Sequence, residues 1–171
     1  MNNSLISNLN ESIEKSKNGD YEDALEICES MLSIFPNAYE IYETRSEIYH
    51  KMGDYEGALS DLEHVIALMP NEVAPIFRRG RWKLELGHYL DAITDFSKVI
   101  DSNTSYFLDA AYYFRAEAFL YCHEYEKTLN DCQQVPDDFF IGPNKITKDE
   151  LINRAKIGKK PGKDKGTLFN C

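Results

Sequence analysis

The chain has 171 residues, 43% hydrophobic and 28% charged, with a formal net charge of −10. That is one ordinary domain by length, and its acidic balance disfavours nucleic acid, whose phosphates it would repel. No stretch approaches the ~18 apolar residues of a membrane span, and Met1 to Ile13 has neither the basic start nor the apolar run of an export signal.

The four cysteines, Cys28, Cys122, Cys132 and Cys171, have no metal-ligand or redox spacing, so a cytoplasmic location with reduced thiols is expected. Charge is uneven along the chain. Lys145 to Lys165 holds eight Lys/Arg against three Asp/Glu, a net +5, which leaves −15 on the rest. The tail is therefore basic and the body acidic, and an acidic body favours a basic partner.

The predicted elements follow one recurring phrase. It reads Gly19-Asp20-Tyr21-Glu22-Asp23-Ala24, then Gly53-Asp54-Tyr55-Glu56-Gly57-Ala58, then Gly87-His88-Tyr89-Leu90-Asp91-Ala92. A weaker copy is His123-Glu124-Tyr125-Glu126-Lys127-Thr128, and the four tyrosines lie 34, 34 and 36 residues apart. A period of that size predicts stacked helix pairs, each burying its apolar face against its neighbours.

The first pair opens with a helix over Leu5 to Lys17 and ends near Pro36. The second has a helix from about Ala38 to Met52 with Tyr42, Arg45, Ser46 and Tyr49 on one face. Gly53 stops it in the left-handed conformation that helix ends favour. Tyr55, Ala58, Leu59, Leu62, Val65 and Ile66 mark the next helix, which Pro70 and Asn71 end. The third pair repeats this through Ile76, Gly80, Gly87, Tyr89, Ala92, Phe96 and Ile100, and Pro136 cuts the fourth short. Small residues at Ser12, Ser46, Gly80 and Ala116, and at Ala24, Ala58 and Ala92, let paired helices approach closely. After a loop holding Phe139, Phe140 and Ile141, Thr147-Lys148-Asp149-Glu150 is a capping-box pattern opening a helix to about Ile157. Gly158 to Gly166 is rich in Lys and Gly.

Ser46, Gly53-Asp54-Tyr55, Ala58 and Pro70 together resemble the tetratricopeptide-repeat pattern, and the third pair matches it with Thr104 in place of the proline. The resemblance covers roughly residues 5–136 and implies an all-α solenoid of about four helix pairs with a C-terminal capping helix. Residues 1–136 then divide into repeats at about 5–38, 39–72, 73–108 and 109–136, followed by a loop and capping helix over 137–158 and a basic flexible tail over 159–171.

No catalytic motif is present: there is no phosphate loop, no metalloprotease helix and no nucleophile elbow. His50, His64, His88 and His123 are scattered, Cys28 and Cys132 fall at core positions, and no catalytic residue, metal or cofactor is expected.

The resemblance implies that first helices line a concave groove. It places Glu43, Thr44 and Glu47, then Phe77, Arg78 and Arg81, then Tyr113, Phe114 and Glu117 in that groove as partner-binding residues, and leaves Glu63 and Asp95 on the convex side. Leu9, Ile13, Thr44, Ala74 and Arg78 fall where similar domains grip a chaperone C-terminus, and only Arg78 matches that set. The expected function is a non-enzymatic protein-interaction module for a protein or peptide, without nucleic acid or membrane. In being compact and acidic it is similar to immunity proteins that neutralise a cognate bacterial toxin; an adaptor or chaperone holding an extended segment is the alternative.

Overall fold

The computed structural model describes residues 3–102, 105–142 and 146–159. Thr104, Lys145 and the basic tail beyond Lys159 lie outside the described residues. Among the described residues there are nine helices and no strand. The fold class is all-α, built from helix pairs, and the chain divides into two compact units, Met1–Pro75 and Ile76–Cys171.

The first unit holds α1 (Asn3–Asn18), α2 (Tyr21–Ile34), α3 (Tyr39–Met52) and α4 (Tyr55–Leu68). Gly53 ends α3 at φ +82°, a conformation that costs a residue with a Cβ about 1–2 kcal/mol. Asp54 then caps α4, its carboxylate accepting from the Gly57 N–H at 3.0 Å. Leu5, Leu9, Ala24, Cys28, Met31, Ile41 and Ile48 form the core, and burying each larger one is worth about 1.5–3 kcal/mol. The Ser12 hydroxyl donates to the Ala24 carbonyl at 2.9 Å and sits 3.3 Å from Cys28 Sγ, so a small side chain sets the α1–α2 approach.

The second unit holds most of α5 (Ala74–Glu85), then α6 (Tyr89–Asp101), α7 (Ser105–Tyr121), α8 (Tyr125–Cys132) and α9 (Lys148–Gly158). Gly80 is the counterpart of Ser12, and a Cβ there would meet Phe96 at 3.0 Å and Asp95 at 3.2 Å. Phe77, Phe96 and Phe114 pack with ring centroids 5.8–5.9 Å apart. In the fourth pair His123 takes the glycine's place and keeps a left-handed backbone, φ +59°. Thr147 caps α9 by accepting from the Glu150 N–H at 3.2 Å, as its pattern predicts, and Leu151 and Ala155 are buried.

Three of the four helix pairs share a buried ion pair that spans 16 residues. Arg45 Nε and Nη2 each donate to Asp61 at 2.8 Å. Arg79 donates to Asp95 at 2.9 and 2.7 Å, and Arg115 to Asp131 at 2.7 and 2.8 Å. Each fork–carboxylate pair bridges the first and second helix of its repeat, a geometry that fixes orientation as well as energy. Lys83 adds a third bond to Asp95, at 3.1 Å.

Asp95 is only 1% exposed, which corrects its expected convex placement. The helical pattern assigns a charged residue to the surface, but this carboxylate has two cations to meet it inside. Asp61 and Asp131 are buried in the same way.

Candidate protein-binding surface

The nine residues expected to line a groove divide sharply by exposure. In the first unit Glu47 is exposed, and Glu43 and Thr44 are half-buried on α3. The Ser46 hydroxyl donates to the Glu43 main-chain carbonyl at 2.7 Å. On α1 the equivalent outward positions are Ile6 and Ile13, 41% and 37% exposed. Lys51 of α3 donates to Ser16 of α1 at 3.1 Å and ties the two first helices together. Exposed on these two helices are therefore two apolar side chains of α1 and the Glu47 side chain of α3.

Charge is concentrated in the same unit. Residues 1–75 hold 15 Asp/Glu and four Lys/Arg, a net −11, whereas residues 76–171 hold 14 and 15, a net +1. The chain's whole acidity thus belongs to its N-terminal unit.

In the second unit Phe77 is packed among rings, and Arg78 is half-buried. The Arg81 guanidinium lies 4.1 Å over the Phe114 ring and 3.4 Å from Glu85. Tyr113, Phe114 and Glu117 are 2%, 1% and 8% exposed, so the expectation that they face a partner is corrected.

Phe114 is covered by Phe77, Phe96 and Arg81 of the preceding pair, and Tyr113 by the chain after α8, which folds back on α7. The Tyr113 hydroxyl donates to the Ile146 carbonyl, and Phe139 lies 5.7 Å from the Tyr113 ring. Ile141 and Ile146 pack on the same cluster. Burial, with the nearby Glu117, pushes the Tyr113 phenol above its usual range. Phe140 in this segment is exposed. Lys148 anchors the segment by donating to the Val135 carbonyl and to Asp137, both at 2.6 Å.

Sequence reasoning missed the Arg–Asp pairs, although the signal is present. Arginine recurs at 45, 79 and 115, and aspartate at 61, 95 and 131, in step with the repeat. Cys28 and Cys132 are buried as expected, and burial raises both thiols, Cys132 to about 11.

Residues 16–72 match the family model described as tetratricopeptide repeat. That stretch carries the tetratricopeptide repeat, and helix pairs of the same build recur in the second unit. No characterised protein matches the chain at the level of sequence.

Among solved structures it is similar to MamA, residues 41 to the end, from Desulfovibrio magneticus RS-1, with TM-score 0.76 and 22% identity over 92% of this chain and 86% of that one. It is also similar to a tetratricopeptide repeat protein from Parabacteroides merdae, with TM-score 0.69 and 20% identity over 88% and 57%. A third is PilW, a type IV pilus biogenesis factor, with TM-score 0.65 and 15% identity over 78% and 61%. At these identities the likeness is one of fold. That fold implies a protein-interaction module, in a family that is generally a non-catalytic scaffold. Among the described residues no helix is long and apolar enough to cross a membrane.

Proposed function

We propose that the chain binds a basic partner protein through the acidic face of its N-terminal unit, with Glu43, Thr44 and Glu47 of α3 beside Ile6 and Ile13 of α1. The observation that carries this reading is the net −11 on residues 1–75 against +1 on the remainder. Such a field steers a cationic surface to the site and raises the association rate. The exposed side chains of Ile6 and Ile13 add apolar area of the kind an interface core uses.

A stoichiometric inhibitor that masks the basic active surface of a toxin, as an immunity protein does, would use this face. An adaptor holding a basic linear segment would use it equally. The two part on what the partner presents, a folded domain or a short peptide.

The test is a Glu43→Lys/Glu47→Lys variant, assayed for binding to the partner recovered with the wild-type chain. Binding should fall at least tenfold, and wild-type association should slow between about 50 and about 500 mM salt. Normal binding by that variant, with binding lost in Arg81→Ala instead, would move the partner to the second unit and overturn the reading.

A further inference from the structure

Free thiols are found at Cys28 and Cys132, both buried, but not at Cys122, which is disulfide-bonded. Cys122 is half-buried in the turn between α7 and α8, its N–H donating to the Ala118 carbonyl at 3.1 Å. The repeat asks for no cysteine there, since Met52 and Leu86 hold the same place in the second and third pairs. The chain has four cysteines, so the one left to pair with Cys122 is Cys171, which lies outside the described residues.

The described residues also place the root of the tail near Cys122. α9 ends against the first turn of α8. Gly158 faces the Tyr125 ring so closely that a Cβ would collide with it, and Lys159 forms an ion pair with Glu126. Tyr125 follows Cys122 by three residues, and its hydroxyl lies 2.8 Å from His123 Nδ1. The basic tail therefore starts beside the turn that carries Cys122. Cys171 comes twelve residues after Lys159, a length that can span up to ~40 Å. A loop this short loses less entropy on closing than a longer one.

We propose that Cys122 and Cys171 form a reversible disulfide that fastens α9 to the α7–α8 turn and makes this cap sensitive to redox state. Inside, α9 is held by the buried Leu151 and Ala155. At its end only the exposed Lys159–Glu126 pair is charged, and such pairs contribute little. A covalent tie beyond the last turn restrains that end. A low-molecular-weight disulfide such as oxidised glutathione makes the bond by thiol–disulfide exchange. One protein thiolate attacks the glutathione disulfide and releases one glutathione thiol. The second protein thiolate then displaces the other. The Cys122–Cys171 bond forms, the glutathione S–S bond breaks, and the two electrons and two protons leave on two glutathione thiols. Excess reduced glutathione runs the exchange backward. Cys28 and Cys132 take no part, because burial shields both thiols and keeps them protonated.

This inference is independent of the acidic face, and its test needs no partner. The full chain is equilibrated with oxidised or with reduced glutathione, alkylated and digested with trypsin. The oxidised sample should be monomeric and yield residues 116–127 linked to residues 166–171, whereas the reduced sample should yield both peptides alkylated. Amide exchange over residues 148–158 should be several-fold slower in the oxidised chain. Cys122→Ser and Cys171→Ser should each exchange there at the rate of the reduced chain under both conditions.

A Cys122 that stays open to alkylation in oxidised glutathione overturns the proposal. So does a link from Cys122 to a second copy of the chain, or to Cys28 or Cys132. Exchange over residues 148–158 that is equal in the two states overturns it as well.

Discussion

Replacing Asp95 by Ala removes the acceptor of three bonds at once: Arg79 Nε at 2.9 Å, Arg79 Nη2 at 2.7 Å and Lys83 Nζ at 3.1 Å. Two cations are left in place with side chains only 13% and 16% exposed. Breaking a buried ion pair by deleting one partner costs about 3–5 kcal/mol, because the survivor stays desolvated. The remaining access to water and the better helix propensity of Ala, about 0.5 kcal/mol, favour the lower end, so we expect about 3 kcal/mol. For a chain of this length that is a fall of about 6–12 °C in melting temperature.

Trp82, the sole tryptophan, is buried in α5 of the same unit, so its fluorescence in a urea titration reports the unit that contains Asp95. A change below about 0.5 kcal/mol, the range of an ordinary surface substitution, would refute the argument. Arg79→Leu/Lys83→Leu/Asp95→Leu should recover most of the loss, since replacing a whole buried ionic group by apolar residues is close to neutral.

Two other predictions concern the fourth helix pair. His123 holds φ +59° where the other three pairs have glycine at +89°, +82° and +78°, so His123→Gly should stabilise by about 0.5–1 kcal/mol in the same titration. A net loss would mean that the 2.8 Å contact between His123 Nδ1 and the Tyr125 hydroxyl outweighs the backbone strain. Burial pushes the Cys132 thiol from its ordinary 9.0 up to about 11. Because the folded value is raised, its contribution to stability is full below pH 9.0, falls as pH rises and is lost by about pH 11. Tyr113, raised by burial in the same sense, adds to the decline. Melting temperature should therefore drop over that alkaline window, less steeply in Cys132→Ala, and a flat profile would count against the buried thiol.

The fold was legible because its signals are local. Gly53 predicts the end of α3 at Met52, and Ala38 is found as its N-cap, one residue from the expected start. Thr147 and Glu150 predict α9 in the same way, through a cap that involves only neighbours in sequence. The interior of the second unit was not legible from those signals. Asp95 reads as a surface residue until its partner, 16 residues away on another helix, is brought beside it.

Tyr113, Phe114 and Glu117 occupy groove positions in the repeat frame, but Tyr113 is met by Phe139 and Ile146, which belong to no repeat. A frame built on repetition says nothing about a segment that does not repeat. It does expose departures from itself: Glu11 and Ile27 of the first pair stand where the second has Arg45 and Asp61.

The most direct test of the central claim is amide hydrogen exchange on the chain alone and in complex with its purified partner. If the acidic unit is the docking surface, exchange should slow in α1 and α3, residues 3–18 and 39–52, and the protection should fade as salt rises. Protection confined to α5 and α7, residues 74–85 and 105–121, with α1 and α3 unchanged, would contradict it.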